Sequence, residues 1–272
     1  MNTAIKKFIP KAAGEKVKST WQSIQQYYYS GNNYYCPFCK HSFRKMRAGG
    51  FDHAVNREME ITGAGRRENM LCPACYSTDR DRLIYLYLKY QSSLLEEKAR
   101  VLHIAPSTAL HGLLRSCKNI DYRIGTKYHE GFYYPGDIEL LDIADLKYHA
   151  DYFDVIICNH VLEHIPDDRK AMKEIYRVLK PGGWALLQVP VSTKLLKTYE
   201  DPSVIDPEER SRKFGQFDHV RIYGKDYPER LSRVGFVVEQ KNPYINRWNV
   251  EDLDKYAINP KEVLFIAKKQ AH

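Results

Sequence analysis

The fold of this 272-residue chain is decided by residues 153–189, which read FDVIICNHVLEHIPDDRKAMKEIYRVLKPGGWALLQV. The apolar, β-branched run at 154–159 predicts a buried strand, and the pattern at 167–179 predicts a helix. A Pro-Gly-Gly turn then leads into a second apolar run at 184–189. The order strand, helix, turn and strand is typical of a βαβ unit.

The same alternation continues on both sides of this stretch. We predict further strands near 101–105, 120–125, 138–141, 236–240 and 262–267, and further helices near 80–97, 108–116 and 225–234. Regular alternation of strands and helices implies a mostly parallel sheet that is covered on both faces. The predicted fold class is therefore α/β.

Composition and charge set limits on the compartment and on the partners. No run of about 18 apolar residues exists, so we expect no transmembrane helix. The first 30 residues are Lys-rich but lack a signal-peptide pattern, which favours a cytoplasmic location. The formal net charge of +8 permits a nucleic-acid or anionic-membrane partner without showing one.

Four of the six cysteines form two Cys-Pro-x-Cys pairs. Each pair can present two thiolates from one tight turn, and Cys36, Cys39, Cys72 and Cys75 together match a closed tetrahedral zinc site. A single pair can also be redox-active, but two pairs in a reducing compartment favour structural zinc. We therefore predict a zinc module at 34–79, between a basic segment at 1–33 and an α/β domain at 80–272.

Two basic stretches leave alternatives open. Residues 1–30 are predicted to be a frayed segment that docks a few apolar side chains on the body; the alternative is an amphipathic helix on a membrane surface. The linker between the cysteine pairs is mildly basic and carries two phenylalanines. It forms either a solvated face or a surface that contacts RNA.

The motifs at 153–165 and 179–183 closely resemble those of class I S-adenosylmethionine (SAM)-dependent methyltransferases, in particular the type 11 family. Together with the cysteine pairs, the segment Leu102–Pro106 and the segment Phe214–Arg221, they look like a bacterial zinc-ribbon subgroup of that family. The resemblance implies a Rossmann-like, seven-stranded sheet whose final strand is antiparallel, and SAM as the cofactor.

The resemblance also indicates which residues hold SAM. The turn after the first strand, Ala105, Pro106 and Ser107, would lie at the amino-acid end of the cofactor. The family usually has glycines in this turn and an acidic residue where this chain has His103. Thr126 stands where the family has the ribose-binding carboxylate, and Glu130 is a possible substitute.

The remaining cofactor contacts come from the third and fourth strands. Asp142 matches the residue that accepts the adenine amine, and Ile143 the residue that packs on the ring. The alternative for Asp142 is a helix N-cap. Asn159 ends the fourth strand, where the family lines the methyl-donor pocket.

The acceptor side is predicted from residues 191–223, a long connection of the kind that often forms a lid. Neutral histidine is suited to general-base catalysis near pH 7. We predict His219 as the base, oriented by Asp218 or Glu163, with His160 as the second choice. A structural role for His219 is the alternative.

The predicted function is transfer of a methyl group from SAM to a hydroxyl of a small molecule or glycan. A second hypothesis is an rRNA or tRNA methyltransferase whose zinc module grips RNA. A third is a non-catalytic binding or scaffold protein with a degenerate methyltransferase fold, which His103, the missing glycines and Thr126 would indicate. The sequence does not decide the acceptor or the oligomeric state.

Overall fold

The computed structural model describes residues 11–127 and 138–271, so Glu130 lies outside the described residues. In these residues the helices are α1 (Lys11–Tyr29), α2 (Ala54–Glu58), α3 (Asp79–Tyr90), α4 (Thr108–Arg115), α5 (Asp168–Val178), α6 (Pro207–Phe214), α7 (Tyr227–Ser232) and α8 (Pro243–Asn246). Short 3-10 turns cover Leu162–His164 and Asp254–Tyr256. No helix in the described ranges is both long and apolar enough to cross a membrane.

The strands fall into one large sheet and several two-stranded ribbons. They are β1 (Ser30–Cys36), β2 (His41–Phe43), β3 (Arg47–Gly49), β4 (Ile61–Thr62), β5 (Arg67–Leu71), β6 (Ala99–Ile104), β7 (Ile120–Thr126), β8 (Ile138–Leu140), β9 (Phe153–Asn159), β10 (Leu179–Gln188), β11 (Val191–Ser192), β12 (Tyr199–Glu200), β13 (Arg221–Ile222), β14 (Val237–Lys241) and β15 (Leu264–Lys268).

The large sheet has seven strands in the order β14-β15-β10-β9-β6-β7-β8. Strands β6, β7, β8, β9 and β10 run parallel to one another, whereas β15 is antiparallel to both of its neighbours, β10 and β14. This is the Rossmann-like order of class I methyltransferases, so the predicted α/β fold is confirmed. The order in which the strands follow one another across the sheet reverses between the parallel strands β6 and β9. Ligands of such sheets bind beyond the carboxyl ends of the strands at this point.

The central strands are buried because each side chain of their apolar runs enters one of two cores. Leu102, Ile156 and Leu187 pack on the face covered by α5 and α7. Val101 and Ile157 pack on the opposite face, with the apolar side chains of α3 and α4. Strands with both faces covered read as continuous apolar runs, which is why this part of the sequence was informative.

Strand β10 begins five residues earlier than predicted, because the Pro-Gly-Gly turn is a bulge within the strand. Leu179 pairs with Phe153, and the register shifts before Trp184 pairs with Val155. Gly182 has a φ of 81°, in the left-handed region that favours glycine. A Cβ on Gly183 would lie 2.7 Å from the Asp154 carbonyl oxygen, so the close approach requires glycine.

The prediction for the N-terminal segment is wrong in two respects. The chain forms a 19-residue helix from Lys11, directly after Pro10, and a proline is compatible with a helix that starts beside it. The apolar side chains of this helix were expected to dock on the body, but Trp21 and Ile24 are each 53% exposed and Tyr27 is 87% exposed.

A buried arginine joins the cysteine-containing region to the α/β domain. The Arg82 side chain, on α3, is fully buried. Its guanidinium donates hydrogen bonds to five backbone carbonyls, those of Asn69, Met70, Ser77, Tyr256 and Ala257. These bonds connect β5 and the second cysteine pair with the segment before β15. The cysteine-containing region therefore packs as part of the body.

The connection at 191–223 is held over the carboxyl edge of the sheet by short pairings. Strand β11 pairs with β4, and β12 pairs with β13. Arg221 is buried and donates to the carbonyls of Leu162, Ile165 and Pro166 at 2.5 to 2.9 Å. This arginine also pairs with Glu200 through Nε at 3.0 Å, and it fixes the connection to the loop after β9.

Candidate active site and metal-binding clusters

The four cysteines of the two Cys-Pro-x-Cys pairs lie together. Cys36 and Cys72 are fully buried, and the ligand atoms of all four cysteines lie within 4.8 Å of one another. The closest sulfur pairs are Cys36 with Cys75 at 3.5 Å and Cys39 with Cys72 at 3.7 Å. All four are free thiols.

Both cysteine pairs adopt the same turn. The Lys40 amide donates to the Cys36 carbonyl at 2.9 Å, and the Tyr76 amide donates to the Cys72 carbonyl at 3.0 Å. Lys40 and Tyr76 follow the second cysteine of each pair and have φ angles of 58° and 59°. Two equivalent turns thus bring their thiols together from opposite sides.

The thiol cluster has the dimensions of a zinc site. Four thiolates about 2.3 Å from a tetrahedral ion lie roughly 3.8 Å apart, close to the two separations observed. The guanidinium of Arg82 is near enough for Coulombic interaction with Cys36 and Cys72. A nearby buried cation favours the excess negative charge that four thiolates give a divalent ion.

A cavity of about 380 Å³ lies beyond the carboxyl ends of β6 and β7. Its lining includes four of the predicted cofactor residues, which are Ala105, Thr126, Asp142 and Ile143. The volume falls within the range of small-molecule sites. The fold, the position and the lining therefore agree on one place for the cofactor.

Ala105 takes the backbone conformation that glycine would have in the turn after the first strand. Its φ is 49°, in the left-handed region, and its amide donates to the Gly125 carbonyl at 2.8 Å. Alanine is the smallest residue with a Cβ, so the turn keeps its shape at a modest strain cost. The turn thus keeps a residue in the left-handed region, although that residue is alanine and not glycine.

Three other predicted cofactor residues, Pro106, Ser107 and Asn159, lie outside the described lining of this cavity. The Ser107 hydroxyl donates to Asp81 Oδ1 at 2.7 Å and accepts the Leu110 amide, so it caps α4. Asn159 ends β9, and its Oδ1 is buried with no partner among the described residues.

Asp142 lines the cofactor cavity, whereas His103 is buried in the strand before it. Asp142 accepts the Ala144 amide at 2.8 Å through Oδ1, but a turn and not a helix follows it, so the N-cap alternative is wrong. His103 is fully buried, with Nδ1 2.9 Å from the Tyr122 hydroxyl. Burial lowers the pKa of His103 to about 3, which keeps the imidazole neutral.

A second cavity, of about 250 Å³, adjoins the first. Three regions line it: the loop Gly63–Gly65 before β5, the segment His160–His164 after β9, and the segment Gly215–His219 of the long connection. Arg80 lines it as well. Gly63 has a φ of 85°, in the left-handed region that favours glycine, so the shape of this loop depends on it.

His160 and Glu163 form a buried pair at the boundary between the cavities. His160 has a φ of 54°, and its Nδ1 lies 3.0 Å from Glu163 Oε1. Despite this short distance, both oxygens of Glu163 and Nε2 of His160 lack hydrogen-bond partners among the described residues. We therefore treat the contact as electrostatic.

The charges of this pair follow from their surroundings. Burial, followed by Arg80, lowers the pKa of His160 to about 4, although Glu163 acts in the opposite direction. For Glu163 burial raises the pKa, but His160, His164 and His219 outweigh it and lower the pKa to about 2. The site thus holds an ionised carboxylate beside a neutral imidazole.

His164 and His219 complete the polar wall. His164 Nδ1 lies 3.2 Å from Asp218 Oδ2, and its ring meets the His219 ring edge-on at 4.7 Å. Burial opposes protonation of His164, but the bond to Asp218 raises its pKa. His219 Nδ1 lies 3.2 Å from the Phe214 carbonyl oxygen, and burial lowers the pKa of His219.

Two residues of this site, His164 and Arg80, had no role in the sequence prediction. Asp218 was expected to orient His219, but the structure pairs it with His164, which had no assigned role. Arg80 directly follows the second cysteine turn, and nothing in its local pattern distinguishes it from other basic residues of α3. His160, His219, Asp218 and Glu163 are brought together as expected.

Comparison with known proteins agrees with the fold. Residues 123–187 match the family model described as a methyltransferase domain. This segment runs from β7 to β10 and includes Asp142, His160 and Glu163. This segment is thus similar to a methyltransferase domain, and the match supports the predicted SAM-dependent methyltransferase class.

Curated relatives are similar over shorter or weaker stretches. A ubiquinone/menaquinone biosynthesis C-methyltransferase of Vibrio parahaemolyticus is 41% identical over 59 residues, which are 21% of this chain and 23% of that protein. A tRNA U34 carboxymethyltransferase of Wolinella succinogenes is 27% identical over 130 residues, 43% of this chain and 45% of that protein. The chain thus spans less than half the length of either relative.

Solved structures are similar at low identity. A SAM-dependent methyltransferase from Archaeoglobus fulgidus has 14% identity and a TM-score of 0.42, covering 69% of this chain and 99% of that chain. At this level the fold assignment rests on the strand order of the sheet and not on the score.

Proposed function

We propose that this protein transfers a methyl group from SAM to a hydroxyl of a small molecule or glycan, with His160 as the general base. The observation that carries the proposal is the shared wall of the two cavities. His160 and His164 line both the cavity at the carboxyl ends of β6 and β7 and the neighbouring polar cavity. A donor in one cavity and an acceptor in the other would meet at these side chains.

The first cavity suits SAM. Asp142 and Thr126 would hold polar groups of the adenosine part, Ile143 offers an apolar surface for the ring, and the turn at Ala105 lets backbone approach the amino-acid end. When bound, SAM supplies an electrophilic methyl carbon, and the electron pair of the broken C–S bond stays on sulfur. Alignment of the acceptor oxygen with that carbon supplies much of the rate.

His160 is a better placed base than His219. The Glu163 carboxylate beside Nδ1 favours the tautomer that carries its proton there, which leaves a lone pair on Nε2. This Nε2 is buried and has no partner in the described part of the chain. It would accept the acceptor's hydroxyl proton, while His164 and His219 line the acceptor cavity and Asp218 holds His164.

The four cysteines are proposed to hold a structural zinc ion. Arg82 and the two equivalent turns keep the thiols in place, and the loop Gly63–Gly65, which lies between the two cysteine pairs, forms one wall of the acceptor cavity. The module at 34–79 would thus stabilise the fold and help to shape the acceptor site. The domain limits of 1–33, 34–79 and 80–272, with a substrate lid at 191–223, are part of this proposal.

The size of the acceptor cavity favours a small ligand over RNA, the second hypothesis. A cavity of about 250 Å³ lies just below the usual range for small-molecule sites, which suits a small acceptor such as a sugar or a single substituted ring. An RNA substrate would add contacts to phosphates, and its affinity would fall steeply with salt. A scaffold protein, the third hypothesis, has no need to bind SAM.

The test is SAM binding by calorimetry, with Asp142→Ala compared to Asp145→Ala. Asp145 is a nearby exposed carboxylate outside the cavity lining, so it is a matched control. We expect micromolar binding that weakens roughly tenfold or more in Asp142→Ala, since a hydrogen bond to a charged group contributes about 1.5–3 kcal/mol. Absence of binding to the unmodified protein would favour the scaffold hypothesis.

The base is tested by His160→Asn once an acceptor is found in a panel of hydroxyl compounds and glycans. General-base catalysis contributes about 10²- to 10⁴-fold, so we expect kcat to fall by that factor while SAM binding stays unchanged. An unchanged kcat would exclude His160 as the base. Binding of tRNA that weakens steeply with salt would favour the RNA hypothesis.

A further inference from the structure

We propose that Glu163, His164 and His219 form a second metal site, for a divalent transition-metal ion of the zinc or iron(II) class, in the wall of the acceptor cavity. One ligand atom from each residue lies within 4.8 Å of the other two. All three residues line the acceptor cavity. The set is two imidazoles and one carboxylate, which leaves coordination positions open for an outside ligand.

The strongest support for an ion at this place is Glu163 itself. Its side chain is 1% exposed, and neither oxygen has a hydrogen-bond partner among the described residues. A buried carboxylate normally has a cation or several donors around it, because an unpaired buried charge is costly. The three histidines around it offer nitrogen atoms, and a bound ion would satisfy the carboxylate and the imidazoles together.

The two histidine ligands are oriented in the way that metal-binding histidines usually are. His164 Nδ1 faces Asp218 Oδ2 at 3.2 Å, and His219 Nδ1 faces the Phe214 carbonyl oxygen at 3.2 Å. A carboxylate or carbonyl that holds one ring nitrogen fixes the tautomer and leaves the other for the ion. Both rings are thus prepared to use Nε2.

His160 is compatible with this site and does not compete for it. It contacts Glu163 through one oxygen, and a carboxylate has a second oxygen that can bind an ion. Ligands about 2.1 Å from a tetrahedral ion lie roughly 3.4 Å apart, so the cluster would contract slightly on binding. His164, with a side chain 26% exposed, borders the opening toward the cavities.

The two ligand-bearing segments are tied together by backbone. The Val220 amide donates to the Glu163 carbonyl at 3.0 Å, and Arg221 donates to the Leu162 carbonyl at 2.9 Å. These bonds keep His219 beside Glu163 although the two residues are 56 positions apart in the sequence. The site is therefore built by the connection 191–223, not by a local motif.

The place of this site indicates what the ion would do. It adjoins His160 at the boundary of the two cavities, where an ion can bind an acceptor hydroxyl and favour its deprotonation. This role rests on the proposed function, whereas binding of the ion does not. A metal measurement can therefore fail or succeed separately from a SAM measurement.

The experiment is metal content per chain after loading with Zn²⁺ and desalting, by mass spectrometry. We expect two equivalents for the unmodified protein, with the cysteine cluster holding one, and one equivalent for Glu163→Gln and His219→Asn. His149→Asn, at an exposed histidine, is the matched control and should keep two. One equivalent in the unmodified protein, unchanged in Glu163→Gln, would overturn the proposal.

A spectroscopic variant guards against loss of folding. With zinc in the cysteine cluster, Co²⁺ is added as the probe, and His219→Cys is expected to bind it with a new thiolate-to-cobalt band that the unmodified protein lacks. That band would place the residue on the ion. Cobalt uptake identical in the unmodified protein and in Glu163→Gln, without the band in His219→Cys, would contradict the site.

Discussion

The four-cysteine cluster and the Glu163–His164–His219 cluster differ in how the chain builds them. The cysteines come from two identical local turns, and their closest sulfurs are already 3.5 and 3.7 Å apart. The second cluster joins adjacent residues after β9 to one histidine 55 positions later, and its atoms lie within 4.8 Å. The first lies among buried apolar residues, whereas the second borders a cavity and holds an ionised carboxylate. We expect the cysteine cluster to support the fold and the second cluster to be available for chemistry.

The largest expected effect comes from Cys72→Ser. Loss of one ligand should release the ion and lower the free energy of unfolding by roughly 4 kcal/mol or more, as expected when a structural metal is lost. Urea unfolding of the zinc-loaded protein measures it. Cys117→Ser, at a half-buried thiol that bonds only to the Leu113 carbonyl, is the control and should cost less than about 1 kcal/mol. Equal losses in both variants would remove the distinction between structural and other cysteines.

Glu163→Gln should have a smaller effect than Cys72→Ser. In metal-free buffer we expect the free energy of unfolding to change by less than about 2 kcal/mol, because the amide loses the attraction of the three histidines that lowers the pKa of Glu163 but also removes a charge from the interior. The control is Glu58→Gln at an exposed position, and the same urea experiment measures both. A loss comparable to that of Cys72→Ser would mean that the second cluster also supports the fold.

The smallest effect is a pH dependence from His103, which belongs to neither cluster. Its folded pKa is about 3, below the unfolded value of about 6.5, so the unfolded state binds a proton that the folded state does not. Stability from this group is present above pH 6.5 and is lost as the pH falls toward 3. We expect a loss of about 1 kcal/mol between pH 6 and pH 5.

His103→Gln tests this assignment by comparing unfolding at pH 6 and pH 5. The variant should lack that part of the pH dependence, while His149→Gln, at an exposed position, should keep it. If His103→Gln retains the full slope, the loss of stability in acid comes from other histidines, including those of the second cluster.

Much of the fold could be predicted from sequence because the information is local. The strand at 154–159 and the helix at 167–179 were placed within one residue, since continuous apolar runs and helical periodicity report burial directly. Strand β10 was placed less well, because a Pro-Gly-Gly turn normally separates elements and here forms a bulge within one. The pairing of β4 with β11 had no signal, since two residues are too few to show a period.

The candidate site divides in the same way. The four cysteines were predicted from their spacing and Asp142 from the family motif; the structure brings the thiols together and places Asp142 in the wall of the first cavity. Ala105 could not be judged from sequence, because the absence of glycine suggested a damaged turn, whereas its φ of 49° preserves it. The pairing of Asp218 with His164, and not with His219, depends on side-chain positions that no spacing encodes.

By itself the sequence predicted the α/β fold, and its motifs indicated the methyltransferase class and the cluster of four cysteines, because each depends on residues close together in the chain. Only the tertiary structure decided that His160 and His164 separate two adjoining cavities and that His219 meets Glu163. Those relations depend on long-range contacts, among them the carbonyls that Arg221 binds and the pairing of β4 with β11. Periodicity fixes which faces are buried, whereas packing between distant segments fixes which polar side chains share a site.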